Sequence, residues 1–139
     1  MRKIYLNAIK TPDGTILVSE HRHDYKTHID ATNNQTYFVD GGSDYFRSSA
    51  NGDETSLYIK EGDSFEDINY IVGDIRDYIL WGTYGKNGDE DLKRKSISNL
   101  SNDHLRAILY TQHHLSDTFK DIILSEIIYR AINGIYIKD

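Results

Sequence analysis

D-S-F-E-D-I-N-Y-I-V-G-D-I, residues 63–75, is where the chain changes its period. Ser64 followed three residues later by Asp67 reads as a capping box, in which a hydroxyl oxygen and an acid satisfy N–H groups that a helix start leaves free. Phe65, Ile68, Ile71, Val72 and Ile75 then recur at helical spacing. Gly73 costs such a helix about 1 kcal/mol relative to Ala, so the spacing predicts a short helix within 64–77 that depends on packing.

Upstream of that point, residues 1–60 read mainly as strands. Ile4, Leu6 and Ala8 alternate with Tyr5, Asn7 and Ile9, the pattern of a two-sided or half-buried strand. Thr11-Pro12-Asp13-Gly14 is a turn with its reason visible, since Pro pre-sets φ and Gly tolerates positive φ. A return strand is expected over Thr15 to Glu20, a third over Tyr25 to Asp30, and a fourth over Thr36 to Val39 after the turn at Thr32 to Gln35. Asp40-Gly41-Gly42 is expected to break that fourth strand. Asp44 to Arg47 and Leu57 to Ile59 complete the series, with Asn51-Gly52 as a hairpin-turn pair between them. Short strands with close turn signals indicate an antiparallel meander.

Downstream, Tyr78-Ile79-Leu80-Trp81 reads as a last strand or a buried connector, and two helices follow within 101–133. Leu100 and Leu105 bracket Ser101 as a hydrophobic staple around an N-cap, with Leu105, Ile108, Leu109 and Gln112 on one face. Leu115-Ser116 repeats the arrangement before a helix from Asp117 to Asn133, which Gly134 ends as a C′ residue. Phe119, Ile122, Ile123, Leu124, Ile127, Ile128, Ala131 and Ile132 cover more than one stripe of that helix, so it needs cover on several sides. A sheet on one side with a partner subunit on the other, or burial within the monomer, would each supply it. The expected fold is a single α+β domain over 1–139: an N-terminal antiparallel sheet packed with C-terminal helices.

Composition narrows the function. The chain of 139 residues has no Cys, which excludes disulfides and thiolate metal sites. No apolar run approaches a bilayer-spanning length and M-R-K-I-Y-L-N lacks a signal-peptide core, so a soluble, cytoplasmic protein is expected. A formal charge of −6 argues against DNA or RNA as partner, although not against a small anion held by a few local cations. Eleven Tyr with a single Pro raise the prospect of self-association.

Three constellations bear on chemistry. His21-Arg22-His23-Asp24 could place two imidazoles on one strand face for a metal, with His28 or Asp24 as third ligand, or could be a polar strand end. No catalytic arrangement stands out. His114-Leu115-Ser116 is one H-x-S string where a two-histidine phosphoesterase needs two, and His23-Asp24 lies in the strand half rather than on a helix. The third is the run from Trp81 to Arg106, W-G-T-Y-G-K-N-G-D-E-D-L-K-R and onward to L-S-N-D-H-L-R. It combines the single Trp with Gly82, Gly85 and Gly88 and with Lys86, Lys93, Arg94 and Lys95, and it ends at a capped helix start. An aromatic face, cations and helix N–H groups are what a flat anionic ligand requires. Arg106 lies within the first turns of that helix and His104 on an adjacent face. Ser101 and Asp103 weigh against an anion there, and a surface loop with turn glycines is the plain alternative.

Read as a whole, the string resembles the Thoeris anti-defence proteins of phages, first type. The resemblance rests on Asn7-Ala8-Ile9-Lys10, Asp13-Gly14-Thr15-Ile16, Arg22-His23-Asp24-Tyr25, Val39-Asp40-Gly41-Gly42 with Asp44-Tyr45, Trp81-Gly82-Thr83-Tyr84-Gly85-Lys86 and Leu100-Ser101-Asn102-Asp103-His104-Leu105, in order along most of the chain. It implies a homo-oligomeric sponge, a dimer or higher up to a hexamer. Such a sponge holds the glycocyclic ADP-ribose signal of a bacterial defence system uncleaved, inside the infected host cell, and needs no cofactor. Some members also hold cyclic oligonucleotide signals at a separate subunit interface. By matching strings, Trp81 and Tyr84 would stack on the ligand, Arg106 and Arg22 would meet phosphates, and Asn87 would hydrogen-bond. The N-terminal strings also look like proteins whose hairpin turns carry zinc-binding Cys pairs. Thr11 to Gly14 and Ala31 to Asn34 occupy those turns here, so no such metal site is expected. A phosphodiesterase acting on the same signal, or a metal-bound protein that inhibits a host enzyme, are the alternatives.

Overall fold

The computed structural model describes the chain apart from residues 1–3, 21–23, 42–45, 84–88, 90 and 113, and for 46 and 83 it describes the backbone alone. Antiparallel strands dominate the first half and helices the second, an α+β fold. The chain forms two compact units, Met1–Glu61 and Gly62–Asp139.

The first unit is all β. β1 (Ile4–Lys10) pairs antiparallel with β2 (Ile16–Ser19) and also with the short β6 (Thr55–Ser56) and β7 (Ile59–Lys60). β3 (Lys26–Ile29), β4 (Thr36–Gly41) and β5 (Phe46–Ser48) form a second antiparallel sheet in the order β3-β4-β5. Ile9 and its cross-strand partner Leu17 meet Tyr37 and Val39 of the second sheet in a buried cluster, which is where the alternation of β1 and β4 is satisfied. The expected break at Asp40-Gly41 is not there. β4 runs on through both residues, and Gly41 pairs with Phe46 at φ 129, a conformation open to a residue without Cβ.

The second unit carries three helices and a hairpin. Ser64 caps α1 (Phe65–Ile75), Ser101 caps α2 (Asn102–Thr111) and Ser116 caps α3 (Asp117–Asn133). Each hydroxyl accepts the N–H three residues on, at 3.1, 3.0 and 3.1 Å. Gly134 closes α3 in the left-handed conformation at φ 66. α1 packs closely on α3 because Gly73 lacks a side chain: a Cβ there would lie 3.3 Å from the Tyr129 ring. β8 (Leu80–Thr83) pairs antiparallel with β9 (Lys93–Ser96), so of the stretch read as a last strand or a connector Leu80 and Trp81 are strand, Tyr78 and Ile79 lie before it, and a further strand follows in the run of cations.

The interior of α3 is not the one its apolar residues suggest. Ile122 and Ile123 are buried, but so are Thr118, Ser125, Glu126 and Arg130, whereas Leu124 is 40% and Ile132 77% exposed. Glu126 accepts a two-pronged grip from Arg76 (2.6 and 2.8 Å) and a further bond from Arg130 at 3.2 Å. Arg130 also donates to the carbonyls of Ile97 and Ser98 and to Asn102, at 2.9, 3.3 and 2.9 Å. Burial pulls Arg130 below its usual range, against the opposing attraction of Glu126. For Arg76 the hydrogen-bonded Glu126 raises the pKa, and Arg76 also lies 4.6 Å from the centre of the Tyr129 ring. One carboxylate between two guanidiniums thus ties α1 to α3. Through Arg130 it also fixes the connector between β9 and α2.

Candidate functional site

In the second unit Trp81 stands on a strand paired with a basic one. Register places Trp81 against Lys95, Gly82 against Arg94 and Thr83 against Lys93. Directly opposed residues of an antiparallel pair share a face, so the indole and the Lys95 side chain lie on the same side of the hairpin. Trp81 is half-buried, its ring tilted 38° against that of Phe119 with centroids 5.5 Å apart. Lys93, Arg94 and Lys95 are all exposed. The side chain of Leu92 lies against the Gly82 backbone: a Cβ at Gly82 would stand 3.1 Å from Leu92 Cδ1, the tip of an exposed side chain that has room to shift.

The connector from β9 to α2 is rigid. Ile97 N–H donates to the Ile79 carbonyl at 2.8 Å and Ser98 N–H to the Arg76 carbonyl at 3.3 Å, extending the hairpin pairing. The Ser98 hydroxyl donates to Asp77 at 2.5 Å and Asn99 donates to the Ser96 hydroxyl at 2.8 Å. Arg130 donates to the carbonyls of Ile97 and Ser98 in the same connector. This short, bonded bridge leads into the first turn of α2, where His104 is half-buried. Burial lowers the pKa of the His104 imidazole and Lys95 lowers it further, outweighing the opposite pull of Asp139.

The start of α2 does not offer the free N–H groups expected of an anion site. Asn102 N–H donates to the Ile137 carbonyl at 2.9 Å and His104 N–H to the Ser101 hydroxyl, whose own proton goes to the carboxylate of Asp139. The segment after α3 therefore returns to this helix start and supplies its negative charge. Arg106 stands two residues past His104, about 200° around the helix. It lies on the exposed side, 4.0 Å from Asp103. Within one copy of the chain, Trp81 packs on Phe119 and shares its face with Lys95, while Arg106 points to solvent on a different side of α2 from His104. Tyr84, Asn87 and Arg22, the other expected ligand contacts, lie outside the described residues, as do His21 and His23.

A second polar cluster lies in the first unit, where the turn at Thr11 to Gly14 meets the turn that follows β3. Asp13, His28 and Asp30 bring ligand-type atoms within 4.8 Å of one another, a spacing that could hold a metal ion. The oxygens are already engaged. Asp13 accepts from Thr11 and Thr15 on Oδ1 (2.7 and 3.0 Å), and from Ala31 N–H at 2.9 Å and His28 Nε2 at 2.7 Å on Oδ2. Asp30 accepts from Asp13 N–H at 2.8 Å on Oδ2, and from the N–H groups of Thr32 and Asn33 and the Thr32 hydroxyl on Oδ1. The Ala31 N–H, followed by Thr11, His28 and Thr15, holds Asp13 well below the usual carboxylate range. Burial pushes Asp30 up, but the bonds from Thr32 and Asp13 outweigh it and leave its pKa lowered. The donor set fits a carboxylate clasp between two turns rather than a cation, since coordination would strip backbone N–H groups of their acceptors. The sequence reading missed this clasp. Asp13 and Asp30 each look like ordinary turn residues, and nothing local says that each reaches the other's backbone.

Searches of protein-family models, of characterised proteins and of solved structures give no match to this chain.

Proposed function

We propose that the protein captures a cyclic ADP-ribose-type immune signal, glycocyclic ADP-ribose, and holds it without cleaving it. In this reading it is a phage anti-defence sponge working in the cytoplasm of an infected bacterium. The observation that carries the reading is the shared face of Trp81 and Lys95, set in the sequence run W-G-T-Y-G-K to L-S-N-D-H-L that prompted the resemblance. An adenine needs an aromatic face and a pyrophosphate needs cations, and this hairpin presents both side by side. Arg106 is exposed and among the described residues is held only by a long contact to Asp103, so it is available to a ligand seated between copies of the chain. Homo-oligomerisation belongs to the same proposal, and the exposed Leu124 and Ile132 of α3 are consistent with it. Among the described residues no helix is long and apolar enough to cross a membrane. Sequestration asks for slow release rather than transition-state stabilisation, so it requires no acid–base pair at the hairpin.

The test uses the single Trp as reporter. Adding the cyclic signal is expected to change Trp81 fluorescence, and calorimetry should show binding weakened several-fold in Trp81→Phe and in Arg106→Ala. Unaltered fluorescence together with no heat of binding would remove the proposal.

A further inference from the structure

We propose that two copies of the chain join edge to edge through β8, forming one four-stranded sheet on which their Trp81 residues stand side by side. The inference rests on the self-association in the reading above and not on the ligand. β8 and β9 form a sheet of two strands, and among the described residues neither pairs with any other strand. Such a hairpin is marginal by itself and leaves two rows of backbone groups to be covered. Register identifies the row on β8. Ile97 N–H donates to the Ile79 carbonyl, so these two are a hydrogen-bonded pair, and Trp81 with Lys95 is the next one along. Leu80 and Gly82 fall in the other phase, with N–H and carbonyl turned away from β9. Both residues are exposed, and none of those four groups has a backbone partner among the described residues.

The two edges differ in what they tolerate. β9 carries Lys93, Arg94 and Lys95, all exposed, and two copies meeting there would set cations against cations. β8 reads Leu80-Trp81-Gly82-Thr83 and holds no charge. Its spacing also suits a second copy of itself. With a two-fold axis at Trp81, Leu80 faces the partner's Gly82 and Gly82 faces the partner's Leu80. Each pair exchanges two hydrogen bonds, and the two Trp81 residues oppose each other across the axis. On the face opposite Trp81, Leu80 is 47% exposed, and the tip of Leu92, itself 51% exposed, lies over Gly82. Pairing lays Leu80 across the partner's Gly82 and against the partner's Leu92, covering two apolar side chains on each copy. It also doubles the aromatic and cationic face presented by the hairpin.

The chain has no Cys, so single Cys variants report the register. Trp81→Cys should form an intermolecular disulfide under mild oxidation, because its two copies face each other at about 4.5 Å between Cα atoms. Lys95→Cys should not, because its copies stand three strand spacings apart, roughly 15 Å. Sedimentation of the ligand-free wild type should show a dimer. Leu80→Lys, at an exposed position, should raise the dissociation constant at least about tenfold while leaving the circular dichroism unchanged. A monomeric wild type, cross-linking no faster at 81 than at 95, or an oligomer unmoved by Leu80→Lys because another surface such as α3 joins the copies, overturns the inference. These readouts need no ligand. A protein that fails them yet retains the cyclic signal leaves sequestration standing without this interface, and one that passes them without retaining it leaves the interface standing alone.

Discussion

Replacing Glu126 by Gln keeps the shape of the buried triad and removes its charge. Glu126 is fully buried and accepts from Arg76 and Arg130, the latter only 1% exposed. The substitution leaves two guanidiniums facing each other, one deep in the interior, with no carboxylate between them. One carboxylate oxygen also becomes an NH2 group pointed at N–H donors, so charge-assisted bonds are lost and a donor clash is added. Breaking a buried ion pair from one side costs about 3–5 kcal/mol. Domains of this kind have about 5–15 kcal/mol in total, so roughly a fifth or more of the stability is at stake. With a urea slope of about 1–3 kcal/mol per molar, the midpoint should fall by roughly 1 M or more. Trp81 lies in the same unit and reports its unfolding selectively by fluorescence. A midpoint shift below about 0.5 M, by the same slopes, would refute the argument that this carboxylate neutralises both arginines. Replacing the whole triad by apolar residues, often harmless elsewhere, should not rescue the loss here. Arg130 also satisfies the carbonyls of Ile97 and Ser98, which an apolar side chain would leave bare.

Two further predictions concern the caps and the clasp. Ser101→Ala removes the acceptor for His104 N–H and the donor to Asp139, so it should destabilise the second unit by about 1–2 kcal/mol, more than Ser64→Ala, as read from paired urea curves. Asp13 has a folded pKa below its unfolded value near 3.9, so its contribution is fully present above about pH 4 and is lost only as pH falls further, through the depressed value. Protection of the Ala31 amide from hydrogen exchange should therefore stay constant from pH 7 to about 4 in wild type and be low throughout in Asp13→Asn, and a chelator should leave it unchanged. Amide protection in wild type that falls between pH 7 and 5, or that EDTA abolishes, would contradict the clasp.

Much of the fold could be read in advance because local rules and tertiary packing agree. Ser64, Ser101 and Ser116 sit where a hydroxyl meets an apolar run, and each caps a helix. The strands of the first unit alternate because one sheet packs on another through Ile9, Leu17, Tyr37 and Val39. β9 escaped notice for the converse reason: Lys93, Arg94 and Lys95 are exposed on both faces of the hairpin, so no buried side imprints a period on them. Gly41 reads as a breaker by composition, yet a strand can use a residue that accepts positive φ. In α3 the apolar count left out Glu126 and Arg130, which stay inside because Glu126 pairs with both Arg130 and Arg76. An i, i+4 acid–base pair on an otherwise apolar helix was visible, but its burial depends on Arg76, fifty residues earlier in the chain.

The candidate site was legible in its ingredients and not in their arrangement. Trp81 and the cations after it could be singled out by type. Which cation stands beside the indole depends on the pairing of Trp81 with Lys95, and that is a property of the hairpin. The capped helix start singled out at Ser101 is further engaged by Ile137 and Asp139, residues more than thirty positions away. Sequence spacing carries no trace of that return.

The central claim is that an anionic cyclic nucleotide is held intact at the Trp81 hairpin. Incubating the protein with glycocyclic ADP-ribose, removing free ligand by filtration, heat-denaturing the protein and analysing what is released tests it directly. The account predicts the unchanged signal, recovered in stoichiometric amount and lost from the Trp81 and Lys95 variants. A hydrolysed product in the released fraction, or nothing at all, would contradict it.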